Sequence, residues 1–372
     1  MKKMKLKCSV IVFITLLLLT PIHIAYATPF EISANSAIVM DATTGRILYE
    51  KNIHARKPMA STTKIMTALV ALEKTNLEDV VKVSRNAVGV EGSSIYLTYD
   101  ERITMKDLLY GLMLRSGNDS AAAIAIEIGG SIDGFSKLMN KKAREIGAIN
   151  TNFTNPHGLH NENHYTTAYD LALITREALK KDAFKEIVRT KLWVAERENF
   201  KYFYNKNKTL VELHGGDGVK IGFTTSAGRC LVTSATRDGM QLISVVLNAP
   251  NWFQDSYLLL NNIFEEYKPY NVFQKDQVLK NVSVVNGQKT ETGIISYENA
   301  TIPVKAEELD KIITVLEVKE KYTAPLKRGD KLGRAKIFVD NQLIYSLYLY
   351  CREDIYQKTV KDKVINFFKN RK

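Results

Sequence analysis

The spacing of apolar residues changes twice along the chain, and the order of those changes limits the folds open to it. "SAIVMDATTGRILYEKN" sets two apolar-rich stretches around Asp41-Ala42-Thr43-Thr44-Gly45, the pattern of a β-hairpin. A block at helical spacing follows. In "KPMASTTKIMTALVALE", Ile65, Met66, Leu69 and Leu72 recur every three or four residues. "TMKDLLYGLMLRSGNDSAAAIAIEIGG" reads as two helices, about 105–114 and 120–128, broken at "RSGND". "SIDGFSKLMNKKAREIGA" and "TAYDLALITREALKKD" are two more, with Thr166 and Thr167 both placed to cap the second. From Trp193 to Asn248 the pattern is that of strands, ending in a hairpin that turns at Arg237-Asp238-Gly239, and "NWFQDSYLLLNNIFEEY" closes the unit as a helix. Strands, then helices, then strands predict the α+β class, an antiparallel sheet with helices packed on it.

After Pro269 short alternating segments such as "VLKNVSVVNG" and "KLGRAKIFV" are separated by Gly, Asn and Asp, which predicts a second, small all-β domain. The resulting division is residues 1–27, 28–268, 269–352 and a basic tail, 353–372. The first segment is not part of the fold. "MKKMKLK" is a basic start, "CSVIVFITLLLLT" a short apolar run, and "AYATPF" an Ala-x-Ala cleavage site after Ala27, together a secretory signal. Its loss removes Lys2, Lys3, Lys5 and Lys7 and no acids, lowering the formal charge from +12 to +8. A basic exported protein favours anionic surfaces such as lipid headgroups and wall polymers. Nucleic acid is excluded as a partner by the export signal and by the lack of a basic stripe interleaved with aromatics. Cys230 and Cys351, which remain after Cys8 is removed, read as small core hydrophobes rather than a disulfide framework. In the tail, Tyr356, Val360, Val364, Phe367 and Phe368 share one helical face among six basic residues. That helix either packs on its own domain or lies on an anionic membrane surface, and the terminal position and charge favour the membrane.

Three short motifs carry chemistry. Ser61-x-x-Lys64 is the only Ser-x-x-Lys in the chain, and its spacing puts both side chains on one helical face. Alone it is compatible with a helix cap beside a solvated lysine. Ser-x-Asn occurs at Ser33, Ser84 and Ser116, and Lys-x-Gly at Lys220, Lys327 and Lys331. Only Ser116-Gly117-Asn118 falls in a tight break between two apolar helices, and only Lys220-Ile221-Gly222 falls on a predicted strand of the first domain.

That ordered triplet resembles the penicillin-binding proteins and serine β-lactamases. "STTKIMTALVALE", "LMLRSGNDSAAAIA", "NPHGL", "HYTTAYDLALI" and "GVKIGFT" are similar to the low-molecular-weight D-alanyl-D-alanine carboxypeptidases, from about Ser33 to Tyr267 and more weakly beyond. The resemblance implies the β-lactamase/DD-peptidase-like fold and no cofactor or metal. Its implied substrates are peptidoglycan stem peptides ending in D-Ala-D-Ala, its inhibitors β-lactams, and its location the outer face of the cytoplasmic membrane. It further implies Ser61 as nucleophile, Lys64 as base and Ser116 as proton relay. Asn118 would hold the substrate amide and steady Lys64, the backbone N–H groups of Ser61 and Phe223 would form an oxyanion hole, and Lys220 and Thr224 would receive the substrate carboxylate. Gly222 would let substrate backbone approach the strand. Ile221 departs from the family, which usually has threonine or serine there, and an isoleucine cannot donate to a carboxylate.

Three rival readings are weaker. His157, His160 and His164 cluster as zinc ligands do, but in a loop rich in Asn, Gly and Pro rather than in H-E-x-x-H on a helix. A serine β-lactamase with a glutamate-activated water would carry a Glu-x-x-Leu-Asn loop, which is absent. A non-catalytic wall-binding homologue, silenced by Ile221, would not require Ser61, Lys64, Ser116, Asn118 and Lys220 all intact.

Overall fold

The computed structural model describes residues 31–359. The leader assigned to residues 1–27 and the tail from 360 onward lie outside them. The chain opens with the expected hairpin, β1 (Ser36–Asp41) and β2 (Ile47–Lys51). Three strands from much later in the sequence complete its sheet: β3 (Gly216–Thr224), β4 (Gly228–Arg237) and β5 (Met240–Leu247). The order is β2-β1-β5-β4-β3, antiparallel throughout, so the first strand pairs with the last and β3 lies at an edge. Asp238 and Gly239 both take positive φ, the left-handed pair that a two-residue hairpin turn needs.

All six residues of β1 are buried, so both faces of the sheet are covered. The α-helices longer than four residues are α1 (Lys64–Lys74), α2 (Met105–Tyr110), α3 (Asn118–Gly129), α4 (Ile132–Ile146), α5 (Ala168–Ala178), α6 (Asp182–Arg189) and α7 (Trp252–Glu266). α5 and α7 both pack on β5, and α1 packs among α3, α4 and α5. Thr167, not Thr166, caps α5: its hydroxyl accepts from Asp170 N at 3.0 Å. The sequence reading missed α6, whose buried Phe184, Ile187 and Val188 form a stripe on an otherwise polar segment.

From Lys268 onward the chain is mainly strands. Lys268–Phe273 pairs with Ala300–Val304, and a six-stranded sheet holds the rest around Val282, Ile294, Ile337 and Leu349. Arg46, at the end of the first hairpin turn, reaches this region. It donates to Pro303 O at 2.6 Å and to Glu308 Oε2 at 3.0 Å, with its guanidinium over the Tyr267 ring. The tail helix cannot begin at residue 353 as the sequence reading has it. Ile355 bridges Leu326 and Gln357 bridges Gly287, so residues 353–359 continue the β domain in extended form. Among the described residues, no helix is long and apolar enough to cross a membrane.

Candidate active site

The sequence turns sharply just before α1. Ala60 has φ +48°, an uncommon conformation for a residue with a side chain. Residues Ala60–Thr63 then form a single 3-10 turn that runs into the helix. The turn is held from two sides. A Cβ on Gly158 would lie 1.9 Å from Ala60 O, and a Cβ on Gly222 would lie 2.9 Å from Ser61 N and 3.0 Å from Thr62 N. Glycine at these two positions is what lets the "NPHGL" loop and strand β3 close on the turn that carries Ser61. A side chain at Gly222 would meet the protein's own Ser61–Thr62 turn, a packing need beside the substrate approach that the sequence reading assigned to this glycine.

Behind the half-exposed Ser61, the Lys64 side chain is completely buried. Its Nζ has three oxygen partners: Ser61 Oγ at 2.9 Å, Asn118 Oδ1 at 2.7 Å and the His157 carbonyl at 2.7 Å. Two of the three are pure acceptors. A neutral amine has two protons and one lone pair. With its protons on Asn118 and His157, the lone pair faces Ser61, the one neighbour able to donate. Burial drives the Lys64 pKa well below its ordinary value, and the positive charges of Lys220 and Lys206 add to this, against an opposing contribution from Asp119. The arrangement therefore favours the unprotonated amine, set against a serine hydroxyl.

Asn118 begins α3, and its Nδ2 donates to the Glu91 carbonyl, which fixes the amide with Oδ1 toward Lys64. Ser116 occupies the break as expected, in a left-handed conformation (φ +63°) and nearly buried. Its hydroxyl takes no part in the hydrogen bonds that join Ser61, Lys64 and Asn118. On β3, Lys220 is buried, donates to the Ile221 carbonyl at 3.0 Å, and has its pKa lowered to about 7 by burial and by Lys206. Phe223 is exposed, and Thr224 is half-buried with Oγ1 accepting from Ala227 N at 3.1 Å. That leaves the Thr224 proton for Ser226 Oγ, 3.3 Å away, or for a bound carboxylate.

Sequence reasoning gave no site role to the His157 carbonyl, to Lys206 or to His164. A carbonyl leaves no trace in residue type, and Lys206 is one lysine in an irregular segment. His164 Nδ1 accepts from Thr154 N at 3.0 Å, so the proton sits on Nε2, which donates to Thr63 Oγ1 at 2.8 Å. Burial lowers its pKa to about 4, keeping it neutral. His157 Nδ1 accepts from Leu159 N at 3.2 Å, and Asn155 Oδ1 takes the N–H of Gly158 at 2.7 Å. These contacts make the histidine loop a brace for the Ser61 turn.

Residues 23–251 match a family model described as D-alanyl-D-alanine carboxypeptidase, and residues 267–357 match that of the penicillin-binding protein 5 C-terminal domain. The chain is 33% identical to D-alanyl-D-alanine carboxypeptidase DacF of Bacillus subtilis, an alignment covering 87% of this chain and 86% of that protein. It is 30% identical to DacA of Haemophilus influenzae, over 88% of this chain and 86% of the relative. Penicillin-binding protein 5 from Haemophilus influenzae superposes with a TM-score of 0.72 at 29% identity, covering 89% of this chain and 100% of that structure.

Proposed function

The chain belongs to the D-alanyl-D-alanine carboxypeptidase family, and on that premise we propose that it removes the terminal D-alanine from peptidoglycan stem peptides through an acyl-enzyme on Ser61. The observation that carries this reading is the buried Lys64 amine, placed 2.9 Å from Ser61 Oγ with Asn118 Oδ1 and the His157 carbonyl as its other partners. Lys64 takes the hydroxyl proton as Oγ attacks the carbonyl between the two D-alanines. The oxyanion is received by the N–H groups of Ser61 and Phe223, each donor of this kind contributing roughly 2.7–4 kcal/mol. The proton then passes from Lys64, by way of Ser116, to the departing D-alanine nitrogen as the C–N bond breaks. Water hydrolyses the resulting ester and restores Ser61.

Lys220, Thr224 and Lys206 supply positive charge and a hydroxyl for the substrate's terminal carboxylate, and Asn118 holds its backbone amide. β-Lactams acylate the same serine and leave slowly. No step requires a metal or cofactor. The test is D-alanine release from a diacyl-D-Ala-D-Ala peptide. Wild type should release it and Ser61→Ala should not; release by the variant would end the proposal.

In the cell the protein would be exported by residues 1–27 and act at the outer face of the cytoplasmic membrane. The basic end of the chain would rest on anionic headgroups. Because residues 353–359 belong to the β domain, the deletion that tests this anchor is 360–372. The shortened protein should leave the membrane fraction with its activity intact; continued association would remove the anchor.

A further inference from the structure

A two-stranded ribbon stands beside the active site with one face anchored and the other bare. Leu192 pairs with Tyr204, Trp193 with Phe203, and Val194 with Tyr202. The Trp193–Phe203 face is the inner one. Phe203 is fully buried, Trp193 Nε1 donates to Asp107 Oδ1 at 2.6 Å, and its ring stacks on Tyr110 at 3.9 Å. The opposite face presents Leu192, Val194, Tyr202 and Tyr204, each 42–59% exposed. Four apolar or aromatic side chains in cross-strand register on a solvent face are costly to leave bare and mark an interaction surface.

The ribbon runs on into the site. Lys206, two residues past Tyr204, donates through its backbone to Leu114 O and through Nζ to Ser93 Oγ, while the Ser93 carbonyl accepts from Asn118 N. At the ribbon's other end, Phe200 meets Tyr96 edge to face at 4.8 Å. Both aromatics have positive φ, +49° and +60°, and both are exposed. Left-handed backbone at a large side chain persists only where its surroundings hold it, and such residues gather at functional places. Here Tyr96 is held by Ser94 Oγ, which accepts its N–H at 2.8 Å, and by Arg197, which donates to its carbonyl at 3.2 Å. Beside Tyr96 lies a cleft of about 340 Å³, walled by Glu101, Arg102, Glu196, Glu198 and Asn199.

We propose that the Tyr96–Phe200 pair with its cleft, and separately the exposed ribbon face of Tyr202 and Tyr204, bind the glycan strand to which the stem peptides are attached. This rests on the peptidoglycan reading above, since a stem peptide seated at Ser61 must lead out to its own sugar chain. The chemistry matches N-acetylated sugars, whose C–H faces pack on aromatic rings while acids, amides and guanidinium groups take the hydroxyls and acetamides. Around the cleft Glu101, Glu196 and Glu198 outnumber Arg102 and Arg197, which opposes an anionic bilayer as the occupant.

The probe is a soluble oligosaccharide of N-acetylglucosamine, the uncharged analogue of that strand, titrated against the full chain. Wild type and Ser61→Ala should bind alike. Tyr96→Ala and the double variant Tyr202→Ser/Tyr204→Ser should each bind about tenfold more weakly and lose a similar factor in rate on polymeric peptidoglycan. Their rate on the short diacyl-D-Ala-D-Ala peptide should stay within about twofold of wild type, which also reports that they fold. Unchanged strand binding in both variants overturns the proposal. So does a loss confined to anionic vesicle binding or to self-association. Absent D-alanine release by wild type would instead defeat the carboxypeptidase reading and leave strand binding measurable.

Discussion

Lys64 and Lys220 are both lysines in a short motif, yet the structure gives them different charge requirements. Acylation needs Lys64 neutral, so the rate should rise as pH climbs through its depressed pKa. Carboxylate binding needs Lys220 charged, and with its pKa near 7 that charge is lost above neutrality in the free enzyme. The kcat/KM profile should therefore be bell-shaped with an alkaline limb near 7. The kcat profile should have that limb higher, because the bound carboxylate stabilises the Lys220 cation. A flat kcat/KM between pH 6 and 9 would contradict these roles. Ile221 lies between Lys220 and Gly222 and offers no donor, so Ile221→Thr should raise kcat/KM by about five- to a hundredfold, the worth of one such hydrogen bond. Equal or lower turnover would count against this. The meeting of Ser61, Lys64 and Asn118, the break at Ser116 and the strand at Lys220 were legible because each motif has a side chain with nameable chemistry. The His157 carbonyl was not, since what it contributes is backbone placement.

Among the elements, the strand–turn contact decides whether the site exists. β3 and the Ser61 turn are far apart in sequence, and no local pattern reports their meeting. Only the shape of Gly222 and Gly158 does so. Gly222→Ala should push the Ser61 turn from β3 and lower kcat/KM by at least about a hundredfold, as misplacement by an ångström can, while circular dichroism stays that of wild type. Full activity in the variant would mean that the contact is looser than the 2.9 Å approach to Ser61 N indicates. The hairpins and long helices were readable from periodicity because each buries one face on a core. Helix α6 and the Val80–Lys82/Arg102–Thr104 ribbon were not, being short and held by neighbours rather than by their own pattern. The start of the tail was misread for a related reason. Residues 353–359 alternate too briefly to declare a strand, and bridges at Ile355 and Gln357 set their form.

At the scale of the molecule, the sheet places the two ends of the first domain side by side, and Arg46 ties that sheet to the β domain. Arg46→Ala removes hydrogen bonds to Pro303 and Glu308 and should cost on the order of 1–3 kcal/mol in denaturant unfolding. Activity on a short peptide should be untouched; an unchanged unfolding midpoint would show the tie to be idle. The central claim concerns one bond, the ester between Ser61 and an acyl group, and the most direct measurement is mass spectrometry of the full chain after incubation with penicillin. The account expects one penicilloyl group per chain, on the peptide containing Ser61 and absent in Ser61→Ala. An adduct on another residue, or D-alanine release by a chain that never acylates at Ser61, would contradict it.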